Sequence, residues 1–314
     1  MKGLAMKKYV LPAVFAAAVV SSLPASAADL RMATKAAPPP PVSFNPWDVA
    51  IGAAVATDYN FRGISQSDRG PAGFAYFEGR YKPSANFEWY AGIAAATVKL
   101  VTDPSAEIDF YGGLRSTFGA LTLDLGLMYY YYPREQQQFI DSDGAITSNP
   151  ALAAVWPPYT VSNSDFLEFY GKANYAFNDN FSVGAGIYYT NDWLGLDASG
   201  TYGAVNVKYT GTALPNGAGW YASAEVGKYW FGTGNFFGSP LELPDYVTWN
   251  AGIGFTYKAV TLDLRYYDTN TTKEECFVLT GDVRGFNDGT GQSKWCSATF
   301  IAKLSFDTTL SALK

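Results

Sequence analysis

Along residues 121–132, Leu121, Leu123, Leu125 and Leu127 alternate with Thr122, Asp124 and Gly126, and Tyr129 and Tyr131 extend the apolar row. Successive side chains of a strand point to opposite faces, so this segment predicts a strand with one apolar face and one wet face. From Trp47 onward the same period of two predicts twelve strands, at 47–61, 74–81, 87–97, 107–118, 121–132, 166–177, 181–190, 202–209, 220–230, 246–257, 260–267 and 297–306. In the first, Val49, Ile51, Val55, Tyr59 and Phe61 share one face, and Asp48, Gly52, Asp58 and Asn60 share the other.

The connections between these strands alternate in length. Gly119-Ala120, Asn178-Asp179-Asn180 and Lys258-Ala259 are tight hairpin turns, whereas 133–165, 231–245 and 268–295 are long polar segments. Short turns on one side and long loops on the other, with an even strand count, are the layout of an all-β, transmembrane, antiparallel up-and-down β-barrel of about 12 strands. Both termini then fall on the short-turn side. The 133–165 loop either folds into the barrel as a constriction or lies outside as a lid; the pattern leaves both open.

The charges decide which face meets lipid. The apolar rows are nearly free of charge through mid-strand, while the opposite rows carry Glu78, Arg80, Glu88, Glu107, Asp109, Arg115, Asp124, Glu168, Lys172, Lys208, Glu225, Asp263, Arg265 and Lys303. An Arg or Lys facing lipid at mid-membrane costs about 2–4 kcal/mol, so these fourteen side chains are expected to line the lumen. In a soluble lipocalin-type barrel the polarity is reversed. The apolar rows end in Trp89, Tyr209, Trp220, Trp249 and Tyr257, as interfacial aromatic girdles do. The inward rows carry Tyr76, Tyr90, Tyr111, Tyr130, Tyr170 and Tyr188, which narrow a barrel already slimmer than one of 16 strands.

Composition agrees with this picture. Aromatic residues make up 17% of the chain, with 23 Tyr, and there are 31 Gly, a balance that suits membrane barrels and is shared by some soluble β-sandwiches. The N-terminus has a secretory layout: Lys7 and Lys8 precede an apolar stretch from Tyr9 to Leu23, and Ala25-Ser26-Ala27 forms an A-x-A site with cleavage between Ala27 and Ala28. The competing reading, a membrane anchor, requires a longer apolar run. The expected division is a signal peptide at 1–27, a spacer at 28–45 built around Pro38-Pro39-Pro40-Pro41, a barrel at 46–307 and a tail at 308–314. Removing the signal leaves 19 basic residues against 28 acidic, a formal charge of −9, which counts against a nucleic-acid partner. In an oxidising compartment Cys276 and Cys296 are expected to form a disulfide worth about 3 kcal/mol; two free thiols are the alternative.

The chain contains no histidine, which removes the usual general base, the Ser-His-Asp triad and most zinc sites. A carboxylate-only mechanism through Glu107 and Asp109 stays open chemically, but paired luminal carboxylates more often brace a wall or set selectivity. The glycines around Gly203 form no phosphate loop, and no motif calls for a nucleotide, a metal or another cofactor.

The segment Thr57-Asp58-Tyr59-Asn60-Phe61-Arg62-Gly63-Ile64-Ser65-Gln66-Ser67-Asp68 resembles the first strand and loop of the TorF-type porin family of bacterial outer-membrane proteins, a resemblance extending over about Trp47 to Phe306. The proline-rich leader resembles those of alphaproteobacterial outer-membrane proteins. The resemblance implies a barrel in the Gram-negative outer membrane and brings no catalytic residues. Many such barrels end on an aromatic residue, whereas this chain continues from Phe306 to Lys314. Two functions follow as expectations. One is passive diffusion of small hydrophilic solutes or ions, with outer-membrane lipid as the other partner. The other is a closed barrel that acts structurally or binds through its loops.

Overall fold

The computed structural model describes residues 45–313; the expected signal peptide, its Ala27–Ala28 cleavage site and nearly all of the proline-rich spacer lie outside the described residues. Among the described residues, twelve strands close into one antiparallel barrel. They are β1 (Trp47–Ala56), β2 (Ala72–Ser84), β3 (Phe87–Ala96), β4 (Glu107–Phe118), β5 (Leu121–Tyr131), β6 (Phe166–Ala176), β7 (Phe181–Thr190), β8 (Gly200–Thr210), β9 (Gly219–Phe231), β10 (Tyr246–Tyr257), β11 (Val260–Thr269) and β12 (Thr299–Thr309). Each strand pairs with the next, and β12 returns to β1 through partners such as Ala50 with Thr309 and Ala56 with Lys303. Closure leaves no strand edge unpaired, which a wall surrounded by lipid requires.

The period of two places side chains as expected. Leu125 is 62% exposed, Ile187 58% and Phe300 81%, all on the outer surface. The intervening residues face the interior and are buried or half-buried. Tight turns at 119–120 and 258–259 lie at the same end as the start of β1 and the end of β12, and the long connections lie at the other end. The last strand runs from Thr299 to Thr309, where 297–306 was expected, because its ladder with β1 continues to Ala50.

Inward tyrosines lie flat over glycines of the neighbouring strand. A Cβ at Gly52, Gly92, Gly113, Gly126 or Gly254 would collide with the ring or hydroxyl of Tyr76, Tyr111, Tyr90, Tyr170 or Tyr221, in that order, and each of these tyrosines is the direct register partner of its glycine. A large ring covering a bare backbone restores packing that glycine lacks, and it allows a narrow interior to hold many aromatics. This pairing accounts for the joint abundance of Tyr and Gly.

One expectation is corrected. The alternation through 57–61 does not prolong the first strand. β1 ends at Ala56, and residues 57–71 fold inward as an insertion with its own hairpin, in which Asn60 pairs with Ser65 and Phe61 with Ile64. Arg62 (φ +50°) and Gly63 (φ +92°) form the two-residue tip, with the positive φ at both positions that a type I′ turn needs. The chain leaves the wall with several of its polar groups bonded to one another within the insertion. The Asp58 carboxylate accepts from Ser65 Oγ (2.6 Å) and Ser67 Oγ (2.9 Å), and Asn60 Oδ1 accepts from the Gly63 amide (2.9 Å). The 133–165 segment does not enter the lumen. It packs on neighbouring loops, with the Ser105 amide bonded to the Pro133 carbonyl (2.9 Å) and Tyr159 Oη donating to the Gly281 carbonyl (2.9 Å).

The long connection after β11 carries helices α1 (Lys273–Thr280) and α2 (Val283–Asn287). Thr272 and Glu275 form a capping box at the start of α1, satisfying two of its free amides. Cys276 and Cys296 are disulfide-bonded, tying α1 to the residues that precede β12.

Candidate functional site

The chemistry of the molecule is concentrated in the barrel interior, where the insertion meets the wall. The Arg62 guanidinium makes a bidentate pair with Glu168 of β6, at 2.7 Å to each carboxylate oxygen, and also donates to Tyr229 Oη at 3.2 Å. Phe61, Tyr188 and Tyr202 surround it, with ring centroids 4.5–4.6 Å from the guanidinium carbon. Glu168 is 1% exposed, so each charge depends on the other for compensation. A planar guanidinium suits this site because it bonds a carboxylate in its plane while stacking on rings above and below.

Other wall residues fasten the insertion. Glu107 accepts from Tyr59 Oη (2.5 Å) and Tyr132 Oη (2.8 Å), so this carboxylate joins the insertion to β4 and the end of β5. Tyr246 Oη donates to the Arg62 carbonyl (3.0 Å). Arg69 donates to the Lys294 carbonyl (2.7 Å) and pairs with Asp58 (3.3 Å), and the Ser65 amide bonds the Trp295 carbonyl (2.9 Å). The disulfide-bearing loop therefore clamps the outer side of the insertion. Around the hairpin, Ile64, Tyr130, Phe166, Tyr229, Tyr246 and Trp295 form one buried apolar cluster toward the long-loop end.

The fourteen expected luminal charges all sit on strand faces opposite the exposed apolar rows, and most fall into separate ion-pair groups. Arg115 reaches Glu88 (2.8 Å), Glu78 (3.0 Å) and Asp124 (3.4 Å), and its guanidinium covers the Tyr90 ring at 3.7 Å. Arg80 adds a contact to Glu78 (2.6 Å) and Lys172 one to Asp124 (3.1 Å). On the far wall Arg265 pairs with Asp263 (3.0 Å) and donates to Asn250 and Ser223, both at 2.7 Å. Glu225 is hydrogen-bonded by Asn250 and Tyr202. Lys303 lies over the Phe74 ring and Lys208 over the Tyr221 ring. The Asp109 carboxylate is 1% exposed, and its Oδ1 has no hydrogen-bond partner.

Between the hairpin tip and the short turns, β5 to β11 enclose a cavity of about 210 Å³. It extends to Thr122 and Ser182, each beside a turn, and its lining includes Lys172, Asn174, Asn206, Lys208, Glu225 and Arg265. The period of two places Asn174 and Asn206 on the wet rows beside Lys172 and Lys208, but only the charged residues were singled out as luminal, and Arg62 was not. Neutral amides on an inward row stand out less than charges do. Arg62 was hidden because it directly follows a segment that reads as wall strand through Phe61. Its one local signal is the Arg62-Gly63 pair between Phe61 and Ile64, a two-residue hairpin spacing.

Comparison with curated proteins finds none that matches the chain. Among solved structures, the chain is similar to an outer membrane channel from Pseudomonas putida F1, with 7% identity and a TM-score of 0.45, covering 88% of this chain and 100% of that one. It is also similar to the KdgM porin, with 10% identity, a TM-score of 0.43 and coverage of 82% and 98%. A third is the β-domain of the Bordetella autotransporter BrkA, with 12% identity, a TM-score of 0.41 and coverage of 83% and 99%. A family model described as "Bacterial protein of unknown function (Gcw_chp)" matches residues 42–300, and the chain belongs to that family.

Proposed function

We propose that the protein is an outer-membrane channel of narrow bore for small hydrophilic solutes or ions, with its short turns in the periplasm and its long loops at the cell surface. The sorting of side chains across the wall carries this reading. Leu125, Ile187 and Phe300 are exposed on the outside, while Glu78, Arg115, Glu168 and Arg265 are buried within. An apolar belt wrapped around a charged interior is unfavourable in water and favourable in a bilayer. The cleavable leader read at the N-terminus and the Cys276–Cys296 disulfide fit an exported protein, and the TorF-type resemblance fits a porin. In this reading the 57–71 insertion is the constriction.

The apolar cluster toward the long-loop end supports a second reading, a closed barrel that acts structurally or through its loops. Planar-bilayer recording separates the two when wild type is run beside a variant with residues 58–70 replaced by a short Gly/Ser linker. Folding of both is checked by heat-dependent gel mobility. Small conductance steps in wild type, enlarged in the variant, are the expected result. Silence from both folded proteins would overturn the channel and leave the closed barrel.

A further inference from the structure

The cavity below the hairpin holds a cluster of polar groups that face the lumen without bonding one another or the wall. Asn174 of β6 and Asn206 of β8 are both register partners of Gly184 on β7, so the two amides flank a residue without a side chain. A Cβ at Gly184 would lie 2.7 Å from Asn206 Oδ1, so the Asn206 amide occupies the space over that glycine. One pair further toward the turns, Ser182 faces Lys208 directly. Among the described residues, none of the Asn174, Asn206 and Ser182 side chains makes a hydrogen bond to protein, and Lys208 has no carboxylate in ion-pair contact. Asp263, the carboxylate that attracts Lys208 from a distance, is already held by Arg265 (3.0 Å) and Tyr221 Oη (2.6 Å).

The other cations on the cavity wall are neutralised: Arg62 by Glu168, Lys172 by Asp124 and Arg265 by Asp263. Glu225, the register partner of Asn206 on β9, is hydrogen-bonded by the neutral side chains of Asn250 and Tyr202 and so offers the cavity an acceptor beside Asn206. Among the lining groups with no hydrogen bond or ion pair to protein are one ammonium, two carboxamides and the Ser182 hydroxyl, spread over three adjacent strands. Strands lie about 4.8 Å apart, so the outer two backbones are separated by about 10 Å, a little more than the length of an extended six-carbon chain with its terminal oxygens. An engineered cavity of about 150 Å³ accommodates benzene, and the 210 Å³ here has room for a somewhat larger molecule.

We infer that this cavity is a binding site for a small polyhydroxylated carboxylate of about six carbons. Its carboxylate sits on Lys208 Nζ, and its hydroxyls bond Asn174, Asn206 and Ser182. Carboxamides, which both donate and accept, suit hydroxyl groups, and a lone ammonium suits a single negative charge. The inference rests on the reading of the interior as a solute path and names the solute class that path selects.

Titration calorimetry on the full chain folded in detergent tests it with three probes of similar size: gluconate, glucose and glucosamine. Gluconate is expected to bind saturably and to weaken with added salt. Glucose should bind more weakly, and glucosamine not at all. Lys208→Gln should lower gluconate affinity by about tenfold or more, the cost of one charge-assisted contact. Asn206→Asp places a carboxylate in the same chamber and should reverse the order, favouring glucosamine over gluconate. Absence of gluconate binding in wild type, equal binding of all three probes, or unchanged affinity in either variant would overturn the site. Conductance recorded on the same preparations keeps the two readings apart. A conducting protein that ignores gluconate refutes the site alone, and a silent protein that binds gluconate refutes the channel alone.

Discussion

Arg62 is in an unusual position for its residue type. The first central place of a type I′ turn favours Asn, Asp or Gly, and a positive φ disfavours a long side chain. The backbone holds this conformation because the guanidinium gains two bonds to Glu168 and a cage of rings. Removing the cation therefore does more than shorten a side chain, because Glu168 is left buried and uncompensated. Arg62→Ala is expected to destabilise the folded protein by about 3–5 kcal/mol, measured by guanidinium unfolding in detergent. Combining Arg62→Met with Glu168→Leu should recover most of that loss, since two apolar groups leave no orphaned charge. If the single Ala variant unfolds within about 0.5 kcal/mol of wild type, the pair does not hold the hairpin.

At the scale of elements, the insertion and the wall meet where Gly63 touches β10 and β11. A Cβ at Gly63 would fall well inside contact distance of Thr248 Oγ1 and Thr269 Cγ2, and the φ of +92° is itself unfavourable for any other residue. Gly63→Val should lift the hairpin off the wall without unfolding the barrel. Far-UV circular dichroism and heat-dependent mobility are expected to stay as in wild type, while amide exchange across 57–71 rises. Exchange confined to the twelve strands instead would show that the insertion is not a separable unit. The same segment marks what the sequence concealed. Ladders such as Leu121–Tyr131 were legible because each inward residue has an outward neighbour of opposite character over many positions. Asp58-Tyr59-Asn60-Phe61 keeps that alternation, and period alone does not distinguish a hairpin inside a barrel from a strand in its wall, since both are two-faced. The charged rows were legible for the same reason as the ladders. Which charge pairs with which was not, because Arg115 reaches across β3, β2 and β5 and Arg62 across the lumen.

For the whole molecule, the decisive question is what surrounds the barrel, and the outer wall answers it most directly. Leu125 lies mid-strand on β5, opposite Leu114 on one side and Gly171 on the other, with 62% of its surface exposed. In water a leucine exposed to this extent contributes little, and replacing it with lysine changes stability by no more than about 0.5 kcal/mol. In a bilayer the same lysine must leave its charge in hydrocarbon or bend the chain toward the headgroups, at about 2–4 kcal/mol. Leu125→Lys is therefore expected to cost several times more when the protein is folded into phospholipid vesicles than a matched change at an interior-facing polar position such as Asn206→Lys. Measuring both variants in vesicles removes any general effect of added positive charge. The charge at 206 enters the polar chamber, where water and carboxylates screen it, whereas the charge at 125 has neither. Equal costs at the two positions would mean that the apolar belt does not face lipid, and the membrane assignment would fall with the channel built on it.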